Sequence, residues 1–67
     1  MGELSREARI AIISSVTSAS VDVIENSFMR LDKISGTLNK ISARLLLESE
    51  FAISKEDSGV VVECYCY

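Results

Sequence analysis

A mainly α-helical fold with a C-terminal β-hairpin is what the sequence predicts, and three observations predict it. Positions in steps of three and four from Ile10 to Leu45 are apolar except for Thr17, Ser20 and Ser27. Proline is absent, and glycine occurs only three times in 67 residues. After Leu47 the pattern gives way to the β-branched and aromatic run "VVVECYCY". Steps of three and four mark the seam of a helix that packs against another helix. With so few breakers, the chain favours long uninterrupted elements over many short ones.

The first element begins at Ser5, which suits a helix N-cap, with Glu7 in the first turn where negative charge complements the helix dipole. From there Ile10, Ile13, Val16, Val23, Ile24, Leu31 and Ile34 fall on one side, interleaved with the small residues Thr17, Ser20 and Ser27. The spacing predicts one helix over about 4–34. Val16, Val21 and Phe28 widen its apolar face beyond a two-helix seam, which implies burial on two sides.

Gly36 poses the choice between a helical hairpin and one long amphipathic helix. The register runs through it without a slip, from Leu31 and Ile34 to Leu38, Ile41 and Leu45. Against continuity, Ser35-Gly36-Thr37 has the chemistry of a helix end, a left-handed glycine and a fresh N-cap. A continuous rod of more than about 40 residues would extend over roughly 60 Å, and no monomer covers such a stripe. The turn is favoured, with a second helix over about 37–48. Either arrangement leaves apolar surface exposed and calls for a second copy of the chain.

Beyond Leu47, "SEFAIS", "KEDSG" and "VVVECYCY" resemble strand, turn and strand. Alternation would place Val60, Val62, Cys64 and Cys66 on one face, with Val61, Glu63, Tyr65 and Tyr67 on the other. A lone hairpin is marginal in water, so it must pack on the helices or pair with another chain. The whole reads as a single domain over 1–67, helical over 4–48 and a β-hairpin over 49–67.

Composition narrows the classes. Apolar residues make up 48% of the chain, too many for disorder, and a chain this short is marginally stable alone. Small domains usually compensate with disulfides, a metal or oligomerisation. The net charge is −3 and the basic residues form no block, whereas nucleic-acid binding calls for clustered Lys and Arg. No segment reaches the roughly 18 apolar residues of a membrane span, and the charged "MGELSREARI" is unlike a signal peptide. The expected compartment is the cytoplasm, where both cysteines are reduced thiols.

Histidine is absent, which removes the commonest general base and transition-metal ligand. No catalytic residues, metal or cofactor are expected. Cys64 and Cys66 supply two thiolates where structural zinc takes four; only a symmetric dimer would assemble a set, and the simpler expectation is two small apolar side chains on a buried strand face. Arg6, Arg9, Ser14 and Ser18 are the candidates for a pocket holding a small, nucleotide-like anion.

The stretch "IAIISSVTSASVDVIENSFMRL" resembles a helix-turn-helix, with Ala11 in the first helix, Val16 and Thr17 at the turn, and Val21 and Ile24 inside the second. Within it, "VTSASVDVIE" is similar to the recognition segment of sigma-factor-type DNA readers. The resemblance implies a DNA-binding regulator. It departs from that pattern where bases would be read, since Ser18, Asp22 and Glu25 stand in place of basic or amide side chains.

The function expected from the sequence is binding without catalysis: a small homo-oligomeric regulator, an adaptor or inhibitor acting through protein contacts, of the kind found among phage-encoded modulators. The expected partners are a second copy and another protein, with neither nucleic acid nor membrane. The expected oligomer interface comprises Ile10, Ile13, Val16, Ile24, Leu31, Ile34, Leu38, Ile41, Leu45, Tyr65 and Tyr67. The two alternatives are a helix-turn-helix DNA-binding regulator and an oligomeric protein that sequesters a small anion.

Overall fold

Ser5 opens the first helix: its Oγ accepts the Ala8 N–H at 3.1 Å, and α1 runs Arg6–Val16. A computed structural model describes residues 4–34 and 39–66 of the chain. Three further helices follow, α2 (Val21–Lys33), α3 (Lys40–Phe51) and α4 (Lys55–Cys66), and there is no strand among the described residues.

The single helix expected over 4–34 is broken at residues 17–20, and the hydroxyl side chains explain why. The Thr17 hydroxyl donates back to the Ile13 carbonyl at 2.7 Å and accepts the Ala19 N–H at 3.3 Å. Ser20 Oγ then accepts the Val23 N–H at 3.3 Å and caps α2. Such side chains offer the backbone partners outside the helix. The break lets α2 fold against α1, so that Ile10, Ile13, Ile24 and Leu31 of the expected intermolecular seam are buried within one chain, while Val16 stays exposed.

α2 ends at Lys33 with Ile34 as its C-cap, and α3 starts from Asn39, whose Oδ1 accepts the N–H groups of Ile41 and Ser42 at 2.9 and 3.2 Å. The two helices pack on each other, so the chain turns back between them. The predicted turn at Ser35-Gly36-Thr37 itself lies outside the described residues. α3 spans 40–51 rather than 37–48.

The β-hairpin expected over 49–67 is not formed. Its first half continues α3 to Phe51, and its second half is α4. Ala52 closes α3 in the left-handed conformation, at φ 54° and ψ 37°. Ser54 starts α4: its Oγ accepts the Asp57 N–H at 3.2 Å and its carbonyl the Ser58 N–H at 2.8 Å. Glu56 and Asp57 occupy the first turn, the favourable end of the dipole. Within "VVVECYCY", Val61, Val62 and Tyr65 lie at helical spacing with Ser58 and all face inward. β-propensity is weak beside this burial.

Helices α2 and α4 each pack on all three others, whereas α1 and α3 do not meet. The bundle is flattened, 32 × 27 × 17 Å. Its core comprises Ile10 and Ile13 of α1, Ile24, Phe28 and Leu31 of α2, Ala43 and Leu47 of α3, Ile53, and Val61 and Val62 of α4. Two buried serines are satisfied locally, Ser27 by the Val23 carbonyl at 2.8 Å and Ser58 by the Lys55 carbonyl at 2.9 Å.

Candidate interaction surface

α4 is the helix around which the surface is organised, and its C-terminal turn is clamped by two arginines of α1. Arg9 donates from Nη1 to the carbonyls of Cys64 and Tyr65 at 3.1 and 3.5 Å. These carbonyls have no partner inside the helix, and a cation there complements the dipole. Arg6 makes a two-pronged ion pair with Asp32 of α2, at 2.8 and 3.0 Å. Its guanidinium also lies 5.5 Å from the Phe28 ring centre and 5.8 Å from that of Tyr65. Tyr65 completes the knot by donating from its hydroxyl to Asp32 Oδ1 at 2.6 Å and packing edge-on to Phe28 at 5.2 Å.

Charge follows the contacts. The hydrogen bonds from Arg6, and next from Tyr65, hold the Asp32 carboxyl down at about 2. The Asp32 carboxylate in turn raises the Tyr65 phenol and the Arg6 guanidinium above their ordinary values. Every group in the knot has its partner within the fold, so its role is to fasten α1, α2 and α4 together.

The same α4 presents an open flank. Its outer side carries Glu56, Gly59, Val60, Glu63 and Cys64, small and apolar between two acids. On one side α3 lines a groove with Lys40, Ile41 and Arg44; on the other, α1 and the residue before its cap line a shallower one with Leu4, Arg9 and Ile12. Glu63 and Cys64 border both grooves, so the two meet along α4. Ile41 is 64% exposed, Leu4 51% and Ile12 47%, high values for large aliphatic side chains sharing one face.

Two ion pairs border this face. Lys40 meets Glu63 at 3.3 Å across the α3–α4 groove, and Arg44 meets Glu48 at 3.7 Å along α3. Elsewhere Arg30 binds Glu50 between α2 and α3 at 3.1 Å. The outer face of α2 is different, with Asp22, Glu25, Asn26, Met29 and Lys33 all exposed.

The residues expected at an oligomer interface are divided by the fold. Ile10, Ile13, Ile24 and Leu31 lie in the chain's own core, Ile34 packs partly buried against it, and Tyr65 is turned into the knot. Val16, Ile41 and Leu45 remain on the surface, at 65, 64 and 54% exposure. Leu38 and Tyr67 lie outside the described residues. Within the expected anion pocket, Arg6 is held by Asp32 and Arg9 by the α4 terminus. The Ser14 hydroxyl donates to the Ala11 carbonyl and the Ser18 N–H to Asp57. Of the four, Arg9 borders the groove between α1 and α4, and Ser18 lines a separate pocket with Asp57. A strand over this segment divides its apolar residues between two faces and leaves no groove; the helical spacing of Glu56, Val60 and Glu63 is the sequence signal that marks the grooves beside α4.

Cys64 and Cys66 likewise part company. In a helix, residues two apart point to nearly opposite sides; Cys64 is half-buried at the grooves, Cys66 is exposed, and both are free thiols. Among the described residues no group of three or more His, Cys, Asp or Glu side chains stands close enough to hold a metal ion. None of the described helices is long and apolar enough to cross a membrane. Comparison with protein-family models, curated proteins and solved structures returns no match.

Proposed function

We propose that this chain is a non-catalytic binding protein that works as a homo-oligomer, a regulator acting as adaptor or inhibitor through protein contacts. The observation that carries this reading is the pair of grooves that meet along α4, with Ile41, Leu4 and Ile12 exposed in their walls. Covering such a surface is favourable by roughly 25 cal/mol for each Å² removed from water. A folded core is already complete without those residues, so their exposure serves contact rather than folding. The lack of histidine fits a binding role better than acid–base catalysis.

The helix–turn–helix formed by α1 and α2 supports the DNA-binding alternative in outline. Its exposed second helix offers Asp22 and Glu25 where phosphates would repel them, and the turn's Ser18 N–H is already held by Asp57. Binding to protein is therefore the better-supported reading. Light scattering on the purified protein at micromolar concentration tests it, with a dimer or larger species expected. A folded monomer throughout that range overturns the oligomer. A gel shift with duplex DNA at low salt is expected to be blank, and a salt-sensitive shift would replace this reading with the DNA-binding one.

A further inference from the structure

We infer that the α3–α4 groove is the face on which two copies of the chain meet, as a twofold dimer whose axis runs along the groove, with α3 of each copy laid over α4 of the other. This rests on the homo-oligomer reading above and names its surface.

Charge complementarity within the groove is the first argument. Its α3 wall is basic, with Lys40 and Arg44, and its α4 wall acidic, with Glu56 and Glu63. A twofold interface brings the same patch of each copy together, so it must complement itself. An axis parallel to the two helices exchanges the walls and keeps each residue at its own level along the groove. Lys40 and Glu63 share a level, since they pair within one chain at 3.3 Å. In the dimer, Lys40 of each copy therefore meets Glu63 of the other, and both pairs form at once. The apolar residues match in the same operation: exposed Ile41 on the α3 wall is set opposite Val60 and Cys64 on the α4 wall.

Electroneutrality is the second argument. The whole chain carries −3, which opposes self-association. Around the groove, Lys40, Arg44 and neighbouring Arg9 balance Glu48, Glu56 and Glu63. The excess acid lies elsewhere, including Asp22 and Glu25 on the outer face of α2. This is a face that a second copy can approach without net repulsion.

Gly59 is the third. It stands in the interior of α4 with an ordinary helical backbone, and a Cβ there would meet nothing nearer than Arg44 Cδ at 3.9 Å. Among the described residues nothing requires a glycine at this position. On the groove floor, the missing side chain lets a neighbouring helix come close.

The test uses the full chain with Lys40→Glu and Glu63→Lys, made singly, together, and as a mixture of the two single variants, followed by sedimentation equilibrium and native mass spectrometry. Each single variant is expected to dimerise about tenfold more weakly than wild type, because each acts twice across the axis. The mixture is expected to regain wild-type affinity as a heterodimer, in which each reversed charge finds its opposite on the partner. Neither chain of that heterodimer has its own internal pair restored, so recovery separates the interface from any effect on folding. The double variant, which reverses both charges, is expected to dimerise like wild type. Gly59→Leu, a better helix former, is expected to stay folded by circular dichroism and to lose at least as much affinity. A mixture no tighter than its components, or a Gly59→Leu dimer as strong as wild type, overturns the assignment of this face while leaving the homo-oligomer in place. A wild-type chain that stays monomeric overturns both.

Discussion

Helices α2 and α4 occupy equivalent places, each packing on the other three, yet they are built from opposite kinds of sequence. α2 reads as a helix from its residues alone: Ile24, Ser27, Phe28 and Leu31 are buried on one side, and mostly charged or amide groups, with Met29 among them, cover the other. α4 consists of residues that favour strands, with valine at three successive positions and a glycine before them. Its inner face holds Ser58, Val61 and Val62, and its outer face keeps Val60 and Cys64 half-buried rather than polar. The difference teaches where each helix gets its stability. α2 brings its own amphipathic pattern, whereas α4 is helical because three helices and two arginine contacts hold it so. In an environment that satisfies its backbone and buries one face, even a β-prone run adopts the helix.

The strongest way to break that comparison is to make α4 unable to be a helix. Val61→Pro removes an internal hydrogen bond and clashes with the preceding turn, costing about 3 kcal/mol or more. Because α4 touches every other helix, the loss is expected to spread, with most of the far-ultraviolet helical signal disappearing at room temperature. A free or strand-like C-terminal segment would instead leave that signal nearly unchanged.

A second way sharpens the contrast by correcting two backbone mismatches at the α3–α4 hairpin. Ala52 holds the left-handed conformation in which glycine is at ease, while Gly59 sits in a helix where alanine has room. Ala52→Gly is expected to stabilise the fold by about 1 kcal/mol, the strain of a side chain in that region. Gly59→Ala is expected to add about 0.5–1 kcal/mol to the folded monomer. Urea unfolding of each variant at a concentration below dimerisation measures both. The Gly59 gain is expected to shrink as protein concentration rises, if a second copy packs against that position.

How much of this was legible in the sequence follows the same divide. The Ser5 cap and the apolar stripe of Ile10, Ile13, Ile24 and Leu31 could be read directly, although the stripe points to a second copy of the chain when read alone and packs in the chain's own core. The break at 17–20 was visible only as a helix-turn-helix resemblance, because periodicity alone passes through Thr17 and Ser20 as it would through any small residue. What those hydroxyls do depends on whether folding back buries more surface than continuing, which no local pattern records. The α4 helix was illegible for the same reason: three valines and two tyrosines favour a strand until Arg9 and Asp32 are brought to them from elsewhere in the chain. The groove beside α4 vanished with that helix, since its floor exists only when Glu56, Val60 and Glu63 share a face.

The smallest expected effect tests the knot that ties α2 to α4. Asp32 titrates at about 2 in the folded chain against an ordinary 3.8. A carboxyl lowered in this way adds stability above its unfolded value, and that contribution drains away as pH falls through the folded one. The window is therefore about pH 4 down to pH 2. Tyr65 works in the other direction: its phenol is raised, so its contribution is intact below the ordinary value of 10 and is lost as pH climbs beyond it. Both partners of the ion pair are more than 40% exposed, so solvent screening keeps the Asp32 term within about 0.2–1 kcal/mol. Thermal melts from pH 5 to pH 2 are expected to show a shallower decline for Asp32→Asn than for wild type. Tyr65→Phe retains the ring against Phe28 but removes the hydroxyl that donates to Asp32; it is expected to flatten the acid limb partly and, in melts from about pH 8 to about pH 11, to reduce the alkaline decline. An acid limb unchanged by Asp32→Asn would mean that Arg6 holds α1 to the aromatic pair through Phe28 and Tyr65, with the carboxylate contributing nothing measurable.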